Sequence, residues 1–349
     1  MILALDAMGG DQAPGEPVRG ALLANRELGL EVALVGPPEL LREELARHGP
    51  APSGIEIVPA SETIDMEEAP VQAVRQKKEA SINVAMRLVK EGKAQGVVSA
   101  GNTGAVMTSA LLNLGRMKGI ERPALGGMTP FNATGLLLLD VGANADCKPS
   151  YLVQVALMGS VYMEKVYGVE RPRVGLMNIG EEVMKGNELT QEVYARLQKE
   201  DINFVGNIEP DRVHLGLADV IVTDGFTGNV AVKAAEGIAD FIFDELRATI
   251  MTRLQYRLGA LLLRSAFRQA RHRLDYSEHG GASLLGVNGV VIVEHGRADA
   301  QAIRSGLRIA GEAVSSGMLE ALQGAVKRRS QASAAAGPAD GPTSDETRA

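Results

Sequence analysis

Val220-Ile221-Val222-Thr223-Asp224-Gly225-Phe226-Thr227-Gly228-Asn229 is the stretch on which the fold turns. Its four β-branched residues make a strand without polar alternation, the kind that a sheet covered on both faces accepts. Asp224-Gly225 then carries turn chemistry. From 229 to 245 the apolar residues recur with helical period. Strand, small polar loop and helix form the unit from which parallel α/β sheets are built.

The same unit repeats outward in both directions. Short aliphatic runs predict strands over 2–5, 31–35, 55–58, 96–98, 136–140, 173–178, 203–205, 220–223 and 290–293. Helical period predicts helices over 17–27, 38–47, 82–91, 105–114, 153–166, 189–199, 229–245 and 299–322. The expected fold is α/β, a three-layer α/β/α sandwich around a mostly parallel sheet. One such domain spans 1–327, including a helical projection over 236–275. A tail over 328–349, rich in Ala, Gly, Pro and Ser, is expected to be disordered.

Composition removes several classes of function. The chain has 349 residues, 45% hydrophobic and 23% charged, with a net charge of −7, so no global basic surface points to nucleic acid. Cys147 is the single cysteine, which excludes an internal disulfide and a cysteine-based zinc site, and fits a reducing cytoplasm. The N-terminus lacks a basic leader segment, and no apolar run reaches the roughly 18 residues a membrane span needs.

Ligands of parallel α/β sheets bind at the carboxyl ends of the strands. Five strand ends here carry Gly, Asn and Asp: Asp6 to Asp11 with Gly9 and Gly10; Ser99 to Gly104 with Asn102 and Thr103; Asp140 to Asp146 with Asn144; Asn178 to Glu188 with Lys185, Gly186 and Asn187; and Asp224 to Asn229 with Gly225, Phe226, Thr227 and Gly228. Any one of these loops is more often a plain turn or helix cap. Five together predict a shared, anion-friendly pocket. Two of them, at Gly104 and Asn229, run into expected helix N-termini, where unpaired N–H groups and the helix dipole favour anions. Lys185 is the expected fixed cation. Lys233, one turn past Asn229, faces either the site or solvent.

Several motifs are absent. No Gly-x-x-x-x-Gly-Lys-Ser/Thr, no Gly-x-Gly-x-x-Gly after the first strand, no His-Glu-x-x-His and no Gly-x-Ser-x-Gly occur. Asp6, Asp11, Asp140 and Asp224 offer carboxylates to a divalent ion, but no loop has the ligand spacing of a dedicated site, so the residues give a metal no support. His295, before Gly296, is expected to cap or face solvent.

Six segments carry a resemblance: Leu5 to Asp11, Ser99 to Ala105, Leu138 to Asn144, Lys185 to Leu189, Thr223 to Val230 and Gly280 to Gly286. In order and approximate spacing they resemble the phosphate acyltransferase (PlsX) family of bacterial phospholipid synthesis, over residues 1 to roughly 325. Where that family often has an extra charge before the Lys-Gly pair, this chain has Val183-Met184. The resemblance implies a fold similar to phosphate acetyltransferases and isopropylmalate dehydrogenases. It also implies a homodimer without cofactor that moves a long acyl chain from acyl carrier protein to inorganic phosphate. The acyl phosphate product would pass to a membrane acyltransferase. In that scheme Lys185, Asn229 and Asp224 are the catalytic candidates, and the remaining loop residues, Lys233 included, hold phosphate or acyl phosphate. Two alternatives stay open: a short-chain phosphate acetyl- or butyryltransferase using coenzyme A, and a non-catalytic lipid- or carrier-protein-binding module.

The stretch 246–274 holds seven arginines and no Lys, Asp or Glu. As one helix, Arg253, Arg257, Arg264, Arg268 and Arg271 would fall within about a 60° arc. Leu258, Leu261, Leu262 and Leu263 form an apolar patch at its middle, and Gly259 is the expected break. Contact with anionic lipid or with the carrier protein is one reading of this segment; a dimer-interface helix with a solvated basic face is the other. The resemblance favours a cytoplasmic protein in reversible, peripheral contact with the membrane.

Overall fold

The computed structural model describes residues 1–50, 52–129, 135–267 and 280–335. Eleven strands form one sheet: β1 (Ile2–Asp6), β2 (Glu31–Gly36), β3 (Ile55–Pro59), β4 (Gly96–Ser99), β5 (Ala124–Thr129), β6 (Leu136–Leu139), β7 (Arg173–Met177), β8 (Asn203–Ile208), β9 (Val220–Val222), β10 (Ala282–Leu285) and β11 (Val290–Val293). Their spatial order is β3-β2-β1-β4-β11-β10-β5-β6-β9-β7-β8. All neighbours pair in parallel except around β10 and β5, which run antiparallel to each other and to β11 and β6. The antiparallel pair joins a left half built on β1–β4 and β11 to a right half built on β6–β9.

Helices cover both faces, and each face has its own core. Helices α1 (Gly15–Leu28), α2 (Pro38–Ala46), α6 (Pro149–Tyr167) and α7 (Glu188–Leu197) pack on one face. Leu3, Leu5, Val98 and Ile292 from the strands meet Val18, Leu41, Tyr162 and Leu197 there. Helices α4 (Ser81–Lys90) and α5 (Thr103–Asn113) cover the other face of the left half, over Ala4, Val97, Val291 and Val293. Short α3 (Pro70–Gln76) lies beside α5. The right half has a smaller core, Leu136, Leu138, Met177, Ile208 and Ile221, against which Ala231 and Val232 of α8 (Gly225–Met251) pack. Beyond its first turn α8 buries no residue, and α9 (Leu254–Leu262) buries none. Together they form a projection.

The expected mostly parallel three-layer fold is the one observed. Several elements differ from the sequence expectation. β5 and β10 were not anticipated: β5 contains Gly126-Gly127, and β10 follows Gly280-Gly281, so glycine disguised both as loops. The helix expected over 299–322 is two, α10 (Ala300–Ser315) and α11 (Met318–Ala335), broken at Gly317, whose φ of +65° is left-handed. Helix α11 runs into the stretch expected to be a disordered tail. It is helical as far as Ala335, and Arg329 pairs with Glu200 at 2.9 Å. Residues 336–349 lie outside the described residues. Lastly, α8 begins at Gly225 rather than Asn229.

Candidate active site

Strands β6, β9 and β7 are neighbours, so the loops leaving their carboxyl ends form one wall. Asp140 organises it. Its side chain is fully buried and accepts five hydrogen bonds, from the N–H groups of Leu125, Gly142, Ala143 and Asn144 and from Asn144 Nδ2, at 2.8–3.2 Å. Burial pushes its carboxyl above the usual aspartate range, and the donors hold it back. Asp140 therefore orients the 140–144 loop; its own acceptors are spent.

The start of α8 locks onto that loop. A side chain on Gly228 would place a Cβ 1.9 Å from the Asp140 carbonyl oxygen, and one on Gly225 would lie 2.7 Å from that of Asn144. Only glycine permits this approach. The Gly225 N–H donates to Asn144 O at 2.7 Å, and Asn229 Nδ2 donates to Val141 O at 3.0 Å. Asp224 caps the helix, accepting from the Thr227 N–H at 2.8 Å and the Thr227 hydroxyl at 2.7 Å. Of the first N–H groups, only that of Phe226 forms no hydrogen bond among the described residues. Gly228 and Asn229, expected at the helix start, instead close its first turn.

Lys185 leaves the end of β7, next to β9, on the 178–187 loop. Its side chain is exposed, and among the described residues its ammonium makes no ion pair or hydrogen bond. Gly186 follows with φ +94°, and Asn187 caps α7 through the Thr190 N–H at 2.9 Å. Lys185, Asp224 and Asn229 thus lie on the ends of two adjacent strands.

The other wall belongs to β1, β4 and β11. Ser99 donates to Asp6 Oδ2 at 2.7 Å and accepts from the Gly101 N–H at 3.1 Å, tying the first two glycine loops together. Burial pushes the Asp6 carboxyl above its usual range, with Ser81, Ser99 and the loop N–H groups opposing. Gly9 packs so closely that a Cβ would lie 2.6 Å from Gly101 N. Gly10 follows at φ +103°. Asn102 caps α5 through the Ala105 N–H at 3.1 Å, and its Nδ2 donates to Met66 O at 2.8 Å. Among the described residues the N–H groups of Thr103 and Gly104 form no hydrogen bond. A cavity of about 10 Å³ between Asp6, Ser81 and Asn102 lies beneath them. That is room for roughly one water molecule.

Two more residues stand on this wall: Glu294, which was not singled out from the sequence, and His295, which was expected to cap or face solvent. Glu294, at the end of β11, is buried, and its Oε1 has no hydrogen-bond partner. Burial, with Asp299 nearby, raises its pKa well above the usual glutamate value. His295 caps its own turn by accepting from the Arg297 N–H at 3.1 Å. Its pKa is lowered by burial first and then by Arg297, and Glu236, Lys233 and Asp11 also act on it. Lys233 and Glu236 sit on α8, so this helix brings the right-hand wall within electrostatic reach of the left. Lys233 is one turn from Asn229 on the same helix face.

The loops expected to line one pocket therefore form two walls. Asp6, Gly9, Gly10, Asn102, Thr103 and Gly104 stand on one; Asp140, Asn144, Lys185, Gly186, Asn187, Asp224, Gly225, Phe226, Thr227, Gly228 and Asn229 on the other. β4 and β7 are six places apart in the sheet, and the three antiparallel steps between the halves turn their carboxyl ends toward opposite edges; Lys233, exposed on α8, lies within electrostatic reach of His295. Cys147 is half-buried behind the second wall, where burial pushes its thiol up to about 11, so it is no ready nucleophile. Among the described residues no group of three His, Cys, Asp or Glu is placed to hold a metal ion.

In the projection, the single-helix arc is not observed. The chain breaks at Thr252–Arg253 and again at Leu263, while Gly259 lies inside α9. Leu258, Leu261, Leu262 and Leu263 are all exposed, Leu262 to 84%. Arg253 lies 5.5 Å from the Tyr256 ring centroid, and Arg257 and Arg264 stand on exposed positions. Arg268 and Arg271 lie outside the described residues. No helix among those described is long and apolar enough to cross a membrane.

The fold is shared with solved phosphotransacetylases. A phosphotransacetylase from Streptococcus pyogenes superposes with a TM-score of 0.61 at 20% identity, over 90% of this chain and 94% of that one. At the level of sequence, the model of a family described as "Fatty acid synthesis protein" matches residues 1–321. The phosphate acyltransferase of Desulfitobacterium hafniense (strain DSM 10664 / DCB-2) is 49% identical over 93% of this chain and 97% of its own length. That of Heliobacterium modesticaldum (strain ATCC 51547 / Ice1) is 51% identical over 93% and 97%. The chain belongs to the phosphate acyltransferase family, and it is an acyltransferase.

Proposed function

We propose that the protein transfers a long acyl chain from the thioester of acyl carrier protein to inorganic phosphate, releasing acyl phosphate and the free carrier thiol, without a cofactor. The observation that carries this reading is a pair of donor sets: an α5 N-terminus with two N–H groups open among the described residues, and, on the right half, a lysine whose ammonium is unpaired among the described residues, on the strand end next to the one that carries Asn229. Phosphate sits against Thr103 and Gly104, with Lys233 opposite. One of its oxygens attacks the thioester carbonyl, the C–S bond breaks, and the carrier leaves as the thiolate. Lys185 and Asn229 donate to the carbonyl oxygen as it gains charge; Asp224 and Asp140 hold the second wall in place. A donor aimed at such an oxyanion contributes about 2.7–4 kcal/mol to catalysis.

The exposed leucines of α9 and their flanking arginines fit an anionic membrane surface, which would receive the lipid-soluble product. The bare faces of α8 suit a second copy of the chain. The product then becomes substrate for a membrane acyltransferase.

The test is purified protein with palmitoyl-carrier protein and labelled phosphate. Release of carrier thiol that depends on phosphate, with label entering acyl phosphate, is expected. Turnover of butyryl-coenzyme A but not of the carrier thioester would favour the short-chain alternative, and no turnover of either would favour a binding module. For the membrane contact, Leu262→Glu is expected to sediment less with anionic vesicles than the parent protein; equal sedimentation refutes it.

A further inference from the structure

The loop that carries Lys185 has almost no core of its own. Ile179 and Met184 are each 79% exposed, Val183 is exposed, and the loop lies beside the two outermost strands of the right half. Apolar burial therefore does not hold it. What holds it is hydrogen bonding: Gln191 Nε2 donates to Met184 O at 2.8 Å and to Gly186 O at 3.3 Å from the exposed side, and two buried asparagines, Asn178 just past β7 and Asn207 on β8, engage it from strands paired in parallel with Leu176 opposite Asn207 and Met177 opposite Ile208.

Asn178, 5% exposed, takes the near end. Its N–H donates to Ile208 O at 3.0 Å, its Oδ1 accepts from the Ile179 N–H at 2.9 Å, and its Nδ2 donates to Lys185 O at 3.1 Å. Gly186 completes this contact: a Cβ there would lie 2.4 Å from Asn178 Oδ1 and 2.1 Å from Thr190 Oγ1. Asn207, 6% exposed, takes the middle. Its Nδ2 donates to Glu182 O at 3.0 Å, the same carbonyl that accepts the Lys185 N–H at 3.0 Å. Asn207 Oδ1 is left buried without a hydrogen-bond partner. A buried amide with one end unsatisfied is costly, and among the described residues its side-chain hydrogen bonds go only to the carbonyls of the loop, Glu182 and, at 3.5 Å, Glu181.

We propose that Asn178 and Asn207 are positioning residues for Lys185: two buried amides that help fix the turn from Glu182 to Gly186 and so aim a lysine whose ammonium makes no ion pair or hydrogen bond among the described residues. This rests on the reading of Lys185 as a donor to the developing oxyanion. A group that acts only in the transition state, when misplaced by about an ångström, lowers turnover by on the order of a hundredfold. It leaves ground-state binding of the substrates unchanged.

The test is a double-mutant cycle on the full chain with the carrier thioester and phosphate. Asn207→Ala is expected to lower kcat between about tenfold and a hundredfold, with KM for both substrates unchanged. In the Lys185→Ala background, Asn207→Ala is expected to cost nothing further, because the lysine through which it acts is gone. A kcat near wild type, or a double variant that loses the product of the two single losses, overturns the proposal. If Asn207→Ala does not fold, as judged by circular dichroism, Asn207→Ser and Asn178→Ser carry the same cycle. Wild-type turnover by Lys185→Ala alone would instead sink the role of Lys185, a separate result.

Discussion

Helices α5 and α8 both begin at a glycine-rich strand end, and from sequence both looked like anion sites. They are finished differently. Helix α5 is capped by a neutral amide, Asn102, and keeps the Thr103 and Gly104 N–H groups open. Helix α8 is capped by a carboxylate, Asp224, and most of its first N–H groups are already engaged. A carboxylate at a helix start offsets the dipole that would attract a phosphate. One terminus is left with open donors, and the other fixes the loop that carries Asn229. Similar motifs thus leave donors open in one half and build rigidity in the other.

The contrast can be broken most severely at Gly228. Gly228→Ala drives a Cβ into the Asp140 carbonyl, and with no flexible side chain to yield, a loss of about 3 kcal/mol or more in stability is expected. Calorimetry would show it, and a melting temperature matching wild type would mean that the α8 root is not rigid. Next comes Lys185→Ala, expected to lose about a hundredfold to a thousandfold in kcat with unchanged melting. Turnover within about threefold of wild type contradicts the oxyanion role.

A smaller effect compares the two caps directly. Asn102→Asp puts a charge where the open terminus is, and should raise KM for phosphate by about tenfold with little change in kcat. Asp224→Asn should leave phosphate KM unaltered. Equal responses at both caps would erase the distinction between the walls.

The smallest effect concerns Glu294. Its folded pKa is raised above the unfolded value of 4.5. The folded state therefore keeps a proton that the unfolded chain releases, and stability falls as pH rises from about 4.5 toward the folded pKa. Glu294→Gln removes that dependence. It should match wild type below pH 4.5 and melt roughly 2–4 °C higher near pH 7–8. Parallel pH profiles for the two proteins would show that Glu294 is not held protonated.

The parallel core of this fold was legible because β-branched and aliphatic runs such as Val290–Val293 leave no other assignment. The antiparallel pair was not, since Gly126-Gly127 and Gly280-Gly281 carry the signature of turns while one pair lies within a strand and the other leads into one. Without that pair in view, the loops appear to share one pocket; with it, they separate into two walls. Lys185, Asp224 and Asn229 could be picked from local residue type. Asn207 and Glu294 could not, because what distinguishes them lies in what the fold places against them. An asparagine in an edge strand signals nothing until its amide is seen to meet the Glu182 carbonyl.

The close seat of Gly225 and Gly228 has a mechanical meaning as well. Helix α8 runs 27 residues from that seat, about 40 Å of nearly unsupported rod at 1.5 Å per residue. For a lever of that length, each degree of tilt at the fulcrum displaces the far end by about 0.7 Å. The joint is made of backbone atoms with no side chain between them, so it has little slack. A strain felt where substrate is handled would be delivered, magnified, to the leucine-covered tip, and a push on the tip would be delivered back.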